Sequence, residues 1–174
     1  MGIVIRTATP DDASAACDVL CRSIVECCAE DHCNDPTVLD AWLGNKTPQT
    51  VAGWFASPTN YSLVAELDGK LVGVGLVNQA GKLSLCYVVP EALHIGAGKA
   101  LLQGLEQQAR AWGVGIMRVH STAAARSFYS RNGYIHGGRE KSCFGLECEF
   151  FWKTLGESQP SDTVKQRFCP CATK

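Results

Sequence analysis

One loop in this chain has the residue types to hold an anion. It lies between a β-branched run, Leu83-Ser-Leu-Cys-Tyr-Val-Val89, which ends at Pro90, and a stretch from Ala100 to Trp112. In that stretch Leu101, Leu105, Ala109 and Trp112 recur at helical spacing, which predicts a helix. The connection, Glu91-Ala-Leu-His-Ile-Gly-Ala-Gly-Lys99, carries two glycines just before the helix. Strand, glycine loop and helix together present unpaired backbone N–H groups, and the helix dipole adds partial positive charge. Glycine lets an anion approach the backbone closely. The predicted chemistry is phosphate binding at the helix start. Gly96-Ala-Gly98 lacks the third glycine of a dinucleotide fingerprint, and Lys99 is not followed by the Ser or Thr of a Walker loop.

Groups able to move protons lie further on. His120 closes a second predicted strand, Gly115–His120, and an imidazole titrates near neutral pH. A helix predicted over 123–132 carries Phe128 and Tyr129; from the residues alone Tyr129 reads as amphipathic core. Glu26, Glu30, Asp31, His32, Glu66 and His94 are the other conceivable bases.

Three blocks in fixed order carry a family resemblance: Tyr87-Val-Val-Pro90, Gly96-Ala-Gly-Lys-Ala-Leu-Leu102, and Ala125-x-x-Phe-Tyr129-x-x-x-Gly-Tyr134. Together they resemble the GCN5-related N-acetyltransferase (GNAT) superfamily over roughly residues 3–155. The resemblance implies a single-domain α/β fold with a central mixed, mostly antiparallel sheet flanked by helices, in the order β-α-α-β-β-β-α-β-α-β-β. It implies acetyl-CoA as co-substrate and no metal, with a primary amine of a small molecule or peptide as acceptor, attacking directly in a ternary complex.

Cofactor contacts implied by the resemblance fall on Tyr87, Val88 and Val89, on His94, Ile95, Gly96, Ala97, Gly98, Lys99 and Ala100, and on Thr122 and Phe128. Adjacent strands splay in such folds, here between 83–89 and 115–120, with a backbone N–H near Val88 facing the thioester oxygen. Tyr129 is the implied general acid and His120 the candidate base. Leu93 stands where the family usually has Gln or Arg, and His94-Ile95 replace a small or basic pair. A rival reading is an acyl-CoA-binding sensor or partner subunit without turnover.

The elements that must position these residues are legible in outline. Ile3–Thr7 reads as a strand, and Thr9-Pro-Asp-Asp12 opens a helix with a cap, a proline at its first position and two acids in its first turn. That helix is predicted to reach about His32, followed by helical pieces at 37–42 and 48–55. Tyr61–Leu67 and Lys70–Val77 read as a hairpin around Asp68-Gly69. In the last strand, Cys143–Thr154, the pattern predicts Leu146, Cys148, Phe150 and Trp152 on one face and Glu147, Glu149, Phe151 and Lys153 on the other. The Ser- and Pro-containing stretch 156–174 reads as a disordered tail.

Composition bounds the rest. At 174 residues, 46% of them hydrophobic, the chain can bury one core. A formal net charge of -1 supplies no field for nucleic acid or membrane surfaces, and no apolar run approaches membrane-spanning length. A cytoplasmic protein is expected. The ten cysteines lack an export context; Cys17, Cys21 and Cys28 share a helix face with Leu20 and Ile24 and read as packing residues. Cys27, Cys28, His32 and Cys33 lack metal-ligand spacing. Residues 1–40 hold eight acids against two bases, the remainder nine against fourteen, which predicts an acidic acceptor wall and a basic cofactor channel. Phe150-Phe-Trp152 is apolar enough to permit a homodimer through the last strand.

Overall fold

The computed structural model describes residues 2–141 and 146–156. β1 (Val4–Thr7) leads into a single 3-10 turn, Pro10–Asp12, set by the Thr9 cap and Pro10. The helix predicted to run to His32 is broken in two, α1 (Ala13–Cys27) and α2 (Ala29–His32). Cys28 leaves helical geometry (φ −109°, ψ 28°), and left-handed Cys33 and Asn34 end the second piece. The buried His32 ring fastens this turn: Nδ1 accepts the Asn34 amide at 3.0 Å and Nε2 lies 3.2 Å from the Val25 carbonyl. α3 (Pro36–Leu43) and α4 (Pro48–Ala56) follow, each with a side-chain cap, from Asp35 and Thr47, and a proline in its first turn. The segment between the first two strands therefore holds four α-helices where an α-α order was expected.

β2 (Asn60–Leu67) and β3 (Lys70–Asn78) join through Asp68-Gly69, both left-handed (φ 51° and 77°), as the favoured hairpin turn requires. Then come β4 (Lys82–Val88), α5 (Ala97–Ala111), β5 (Ile116–Ser121), α6 (Arg126–Arg131), β6 (Ile135–Lys141) and β7 (Glu147–Thr154). The seven strands form one sheet in the order β1-β2-β3-β4-β5-β7-β6. Its β4–β5 pair is parallel and the others antiparallel, so the sheet is mixed and mostly antiparallel, as expected.

Helices cover both faces. Gly73 and Gly75 of β3 face α5 so closely that an added Cβ would lie 2.9 Å from Leu101 and 2.8 Å from Leu105. On the opposite face Tyr87 packs with Ile24, Cys28 and Trp42 of the α1–α3 side. Cys17 and Cys28 are buried as predicted, and Cys21 is half-buried.

β7 departs from its predicted alternation. Glu149, Phe150 and Phe151 are all buried, because β7 is an interior strand, paired to β5 and β6, with Phe150 against His120 on one face and Phe151 against Tyr129 on the other. Phe150 and Phe151 thus serve the chain's own core, and β7 offers no open edge for the strand pairing that its apolar run permitted. The start of the predicted strand at Cys143 and the tail from Glu157 lie outside the described residues.

Candidate active site

β4 and β5 pair only at Lys82↔Arg118 and Leu83↔Val119, then part. The resulting gap lies between the two strands that the family resemblance expects to splay. The Val89 amide donates to Val72 at 2.9 Å. Amides alternate in direction along an antiparallel strand, so Tyr87 points toward β3 as well, whereas the Cys86 and Val88 amides face the gap. Val89 itself is committed to β3. From α1, the Cys27 thiol approaches the Val88 carbonyl at 3.9 Å.

At the end of β4 the chain makes a 3-10 turn, Pro90–Ala92, and enters the glycine loop. His94 (φ 63°) and Gly96 (φ 94°) are both left-handed, a backbone arrangement that curls successive N–H groups toward a common point. α5 begins at Ala97, three residues earlier than its apolar pattern indicates. The Ala97, Gly98 and Lys99 amides therefore form the first helical turn, and the first internal bond runs from the Ala100 amide to Gly96 at 3.0 Å. Leu93, His94, Ile95 and Lys99 are exposed. The cradle is backbone, so the unusual side chains at 93–95 leave its shape intact.

Beneath the loop, Phe128 of α6 packs 3.5 Å from where a Gly98 Cβ would stand. Tyr129 is buried and ringed by Phe128, Tyr134 and Phe151. Its neighbour Cys86 directs its thiol toward the Gly98 carbonyl at 3.9 Å. Burial pushes the Tyr129 phenol well above the ordinary tyrosine value and the Cys86 thiol up to about 12, so both stay protonated at neutral pH. A neutral thiol of this kind is a poor nucleophile.

On the other side of β4 lies a cleft of about 440 Å³. One wall of the cleft is built by Trp42 of α3, Trp54 of α4 and Lys46 of the loop between them, its floor by Leu76 and Leu85, and Tyr87, His120, Thr122 and Glu140 stand at the gap end. The register of β4 against β3 slips by one residue here, leaving Ser84 as the extra, exposed residue. His120, half-buried, meets the Glu140 carboxylate through Nε2 at 2.8 Å and lies against the Phe150 ring.

The remaining candidates have structural duties. Thr122 accepts the Ala125 amide at 3.2 Å and caps the turn into α6. Asp31 accepts the Ala123 amide at 2.6 Å, Glu66 is paired to Arg6, and Glu26 to Arg22. Glu30 lies 3.9 Å from Arg126. The acidic wall expected from the charge count is therefore largely spent on internal partners, and the cleft carries Lys46 and Lys82 as well as Asp31 and Glu140. Among the described residues no three His, Cys, Asp or Glu side chains gather as metal ligands would.

Glu140 was invisible to pattern reading. A one-residue bulge between His136 and Gly138 decides its face. His136 pairs with Phe151, on the α6 face, whereas Gly138 pairs with Phe150, on the cleft face. Without the bulge His136, Gly138 and Glu140 would share one face. Gly137 is the residue that fits, since a Cβ there would stand 2.6 Å from the Phe150 ring, and Gly138 adopts φ 115°.

A splayed parallel pair, a left-handed glycine loop capping a helix and a cleft across the strand define a class of acyl-transfer fold. A family model described as an acetyltransferase (GNAT) domain matches residues 28–148. The chain belongs to the GNAT acetyltransferase family. Solved structures share the fold. A GCN5-related N-acetyltransferase from Rhodopseudomonas palustris is 22% identical, with a TM-score of 0.79 over 88% of this chain and 96% of that one. The PaiA N-acetyltransferase of Thermoplasma acidophilum, solved with coenzyme A, is 20% identical, with a TM-score of 0.72 over 88% and 99%. YncA of Salmonella typhimurium, a putative acetyltransferase solved with acetyl-CoA, is 21% identical, with a TM-score of 0.69 over 93% and 99%. No curated protein sequence matches the chain. Among the described residues no helix is long and apolar enough to cross a membrane.

Proposed function

We propose that residues 1–155 form one acetyltransferase domain that moves the acetyl group of acetyl-CoA to a primary amine, by direct attack in a ternary complex in the cytoplasm. The observation that carries this reading is the parting of β4 from β5 beyond Leu83, which leaves the Cys86 and Val88 amides facing the gap. Those amides suit the amide groups of a pantetheine arm, and the Val88 N–H is the donor for the thioester oxygen as charge develops. The loop from His94 to Ala100 suits the pyrophosphate. Two relatives of the same fold were solved with coenzyme A or acetyl-CoA, which supports the assignment. The cleft volume of about 440 Å³ favours a small amine or the end of a peptide chain as acceptor.

Each group has a physical part. Phe128 and Val88 line the Gly98 side of the gap. Tyr129, held protonated by burial, donates a hydrogen bond to the departing sulfur. His120 takes a proton from the acceptor. Tyr87 presents its side chain to the cleft, and its backbone, like that of Val89, is turned to β3.

Calorimetric titration with acetyl-CoA tests the reading. Wild-type protein and Tyr129→Phe are expected to bind. Gly96→Glu places a side chain and a negative charge on a left-handed residue and is expected to abolish binding. Failure of the wild type to bind would end the acetyltransferase reading; binding without transfer to any amine would favour a sensor.

A further inference from the structure

We propose that Glu140 is a positioning residue that makes His120 the base of the acceptor site; this rests on the acetyltransferase reading above. The pair spans three strands. His120 of β5 stands opposite Phe150 of β7, and Glu140 of β6 stands opposite Cys148, two residues before Phe150. Directly paired residues and residues two apart share a face, so His120, Phe150, Cys148 and Glu140 all lie on the cleft face. Both His120 and Glu140 line the cleft at its gap end, alongside Tyr87 and Thr122.

The chemistry follows from the hydrogen bond. A carboxylate only accepts, so at 2.8 Å from Glu140 the Nε2 atom must carry the proton. The neutral ring then has its lone pair at Nδ1. Phe150 against one ring face and Glu140 at the far edge restrict the imidazole's rotation. Among the other titratable groups lining the cleft, Asp31 is engaged by the Ala123 and Ala124 amides. Lys46 donates to the Trp42 carbonyl and to Asn45.

In the reaction the acceptor ammonium gives one proton to His120 Nδ1, and Glu140 stabilises the imidazolium that forms. The freed nitrogen bonds to the thioester carbon. As the C–S bond breaks, a second proton leaves the nitrogen and one is gained by the sulfur. His120 then returns its proton to water.

The decisive comparison uses two nucleophiles that differ in their need for a base. n-Butylamine is protonated near neutral pH and needs one; hydroxylamine is already neutral. His120→Gln and Glu140→Gln are expected to retain acetyl-CoA binding by calorimetry and to lose about a hundredfold in kcat with n-butylamine, but no more than a few-fold with hydroxylamine. In the unliganded protein, long-range ¹⁵N–¹H spectra should show His120 as the Nε2–H tautomer, and as a mixture in Glu140→Gln. Equal losses with both nucleophiles, no loss with either, or an unchanged tautomer would overturn the proposal. Wild-type protein that binds acetyl-CoA but transfers to neither nucleophile would overturn it too. Absent acetyl-CoA binding by the wild type would instead sink the acetyltransferase reading.

Discussion

Two histidine–glutamate pairs sit on the same corner of the sheet and do different work. His120–Glu140 lies on the cleft face, where, among the described residues, the glutamate's ion-pair partner is the histidine. His136–Glu149 lies on the α6 face, where Glu149 also receives Arg139 at 3.1 Å and Arg126 at 3.5 Å. One carboxylate shared by a histidine and two arginines is a clamp: it joins β6, β7 and the start of α6. The hydrogen bond from His136, then Arg139, holds the Glu149 carboxyl below its ordinary value. A carboxylate shared so widely serves as a junction and not as the orienting partner of one ring. The same two residue types, placed on opposite faces by one bulge, thus suit chemistry in one case and cohesion in the other.

That contrast can be broken most sharply by matched substitutions. His120→Gln is expected to cut kcat with n-butylamine about a hundredfold at an unchanged melting temperature, whereas His136→Gln should lower the melting temperature and leave kcat in place. A comparable kcat loss from His136→Gln would erase the distinction. Gly137→Val is next. It forces a side chain into the Phe150 ring and is expected to destabilise by about 1–3 kcal/mol, seen in chemical denaturation, with loss of the His120 tautomer signature. Glu149→Gln should then cost a few degrees of melting temperature, because three donors lose their anion, while acetyl-CoA binding survives.

The smallest effect is a pH dependence. The Glu149 carboxyl is held below its ordinary value of 4.5, so its stabilisation is complete above that pH and lost as pH falls through the lower folded-state value. Asp12, held down to about 2 chiefly by its hydrogen bond with Arg6, behaves in the same sense between 3.8 and about 2. Acid unfolding followed by circular dichroism should therefore begin later in wild-type protein than in Glu149→Gln. Coincident curves would remove Glu149 from the clamp.

What the sequence made legible was local. The glycine loop, the Asp68-Gly69 hairpin, the α5 face and the Phe128-Tyr129 block each occupy a short window in which spacing or turn chemistry speaks directly. His120 was visible for the same reason, as a titratable residue ending a strand. Its partner was not, because Glu140 reaches it only through β7 and through a bulge that resets the parity of β6. The burial of Glu149 and of adjacent Phe150 and Phe151 was hidden likewise: alternation assumes one open face, and β7 has neighbours on both edges and packing on both faces. The break at Cys28 carries no proline or glycine to announce it and follows instead from the buried His32 turn.

The sheet order has a consequence for how the protein is made. β7 must enter between β5 and β6, which were synthesised before it. The glycine loop and its helix are complete once Ala111 has emerged, yet β5 has no partner on its far side until Glu147–Thr154 arrives. A nascent chain can therefore hold a finished glycine loop and helix while β5 is still an open strand edge. That edge is exposed to mispairing for as long as translation takes to reach residue 154. Arrest just before Glu147 should yield chains that aggregate, and release of β7 should rescue them.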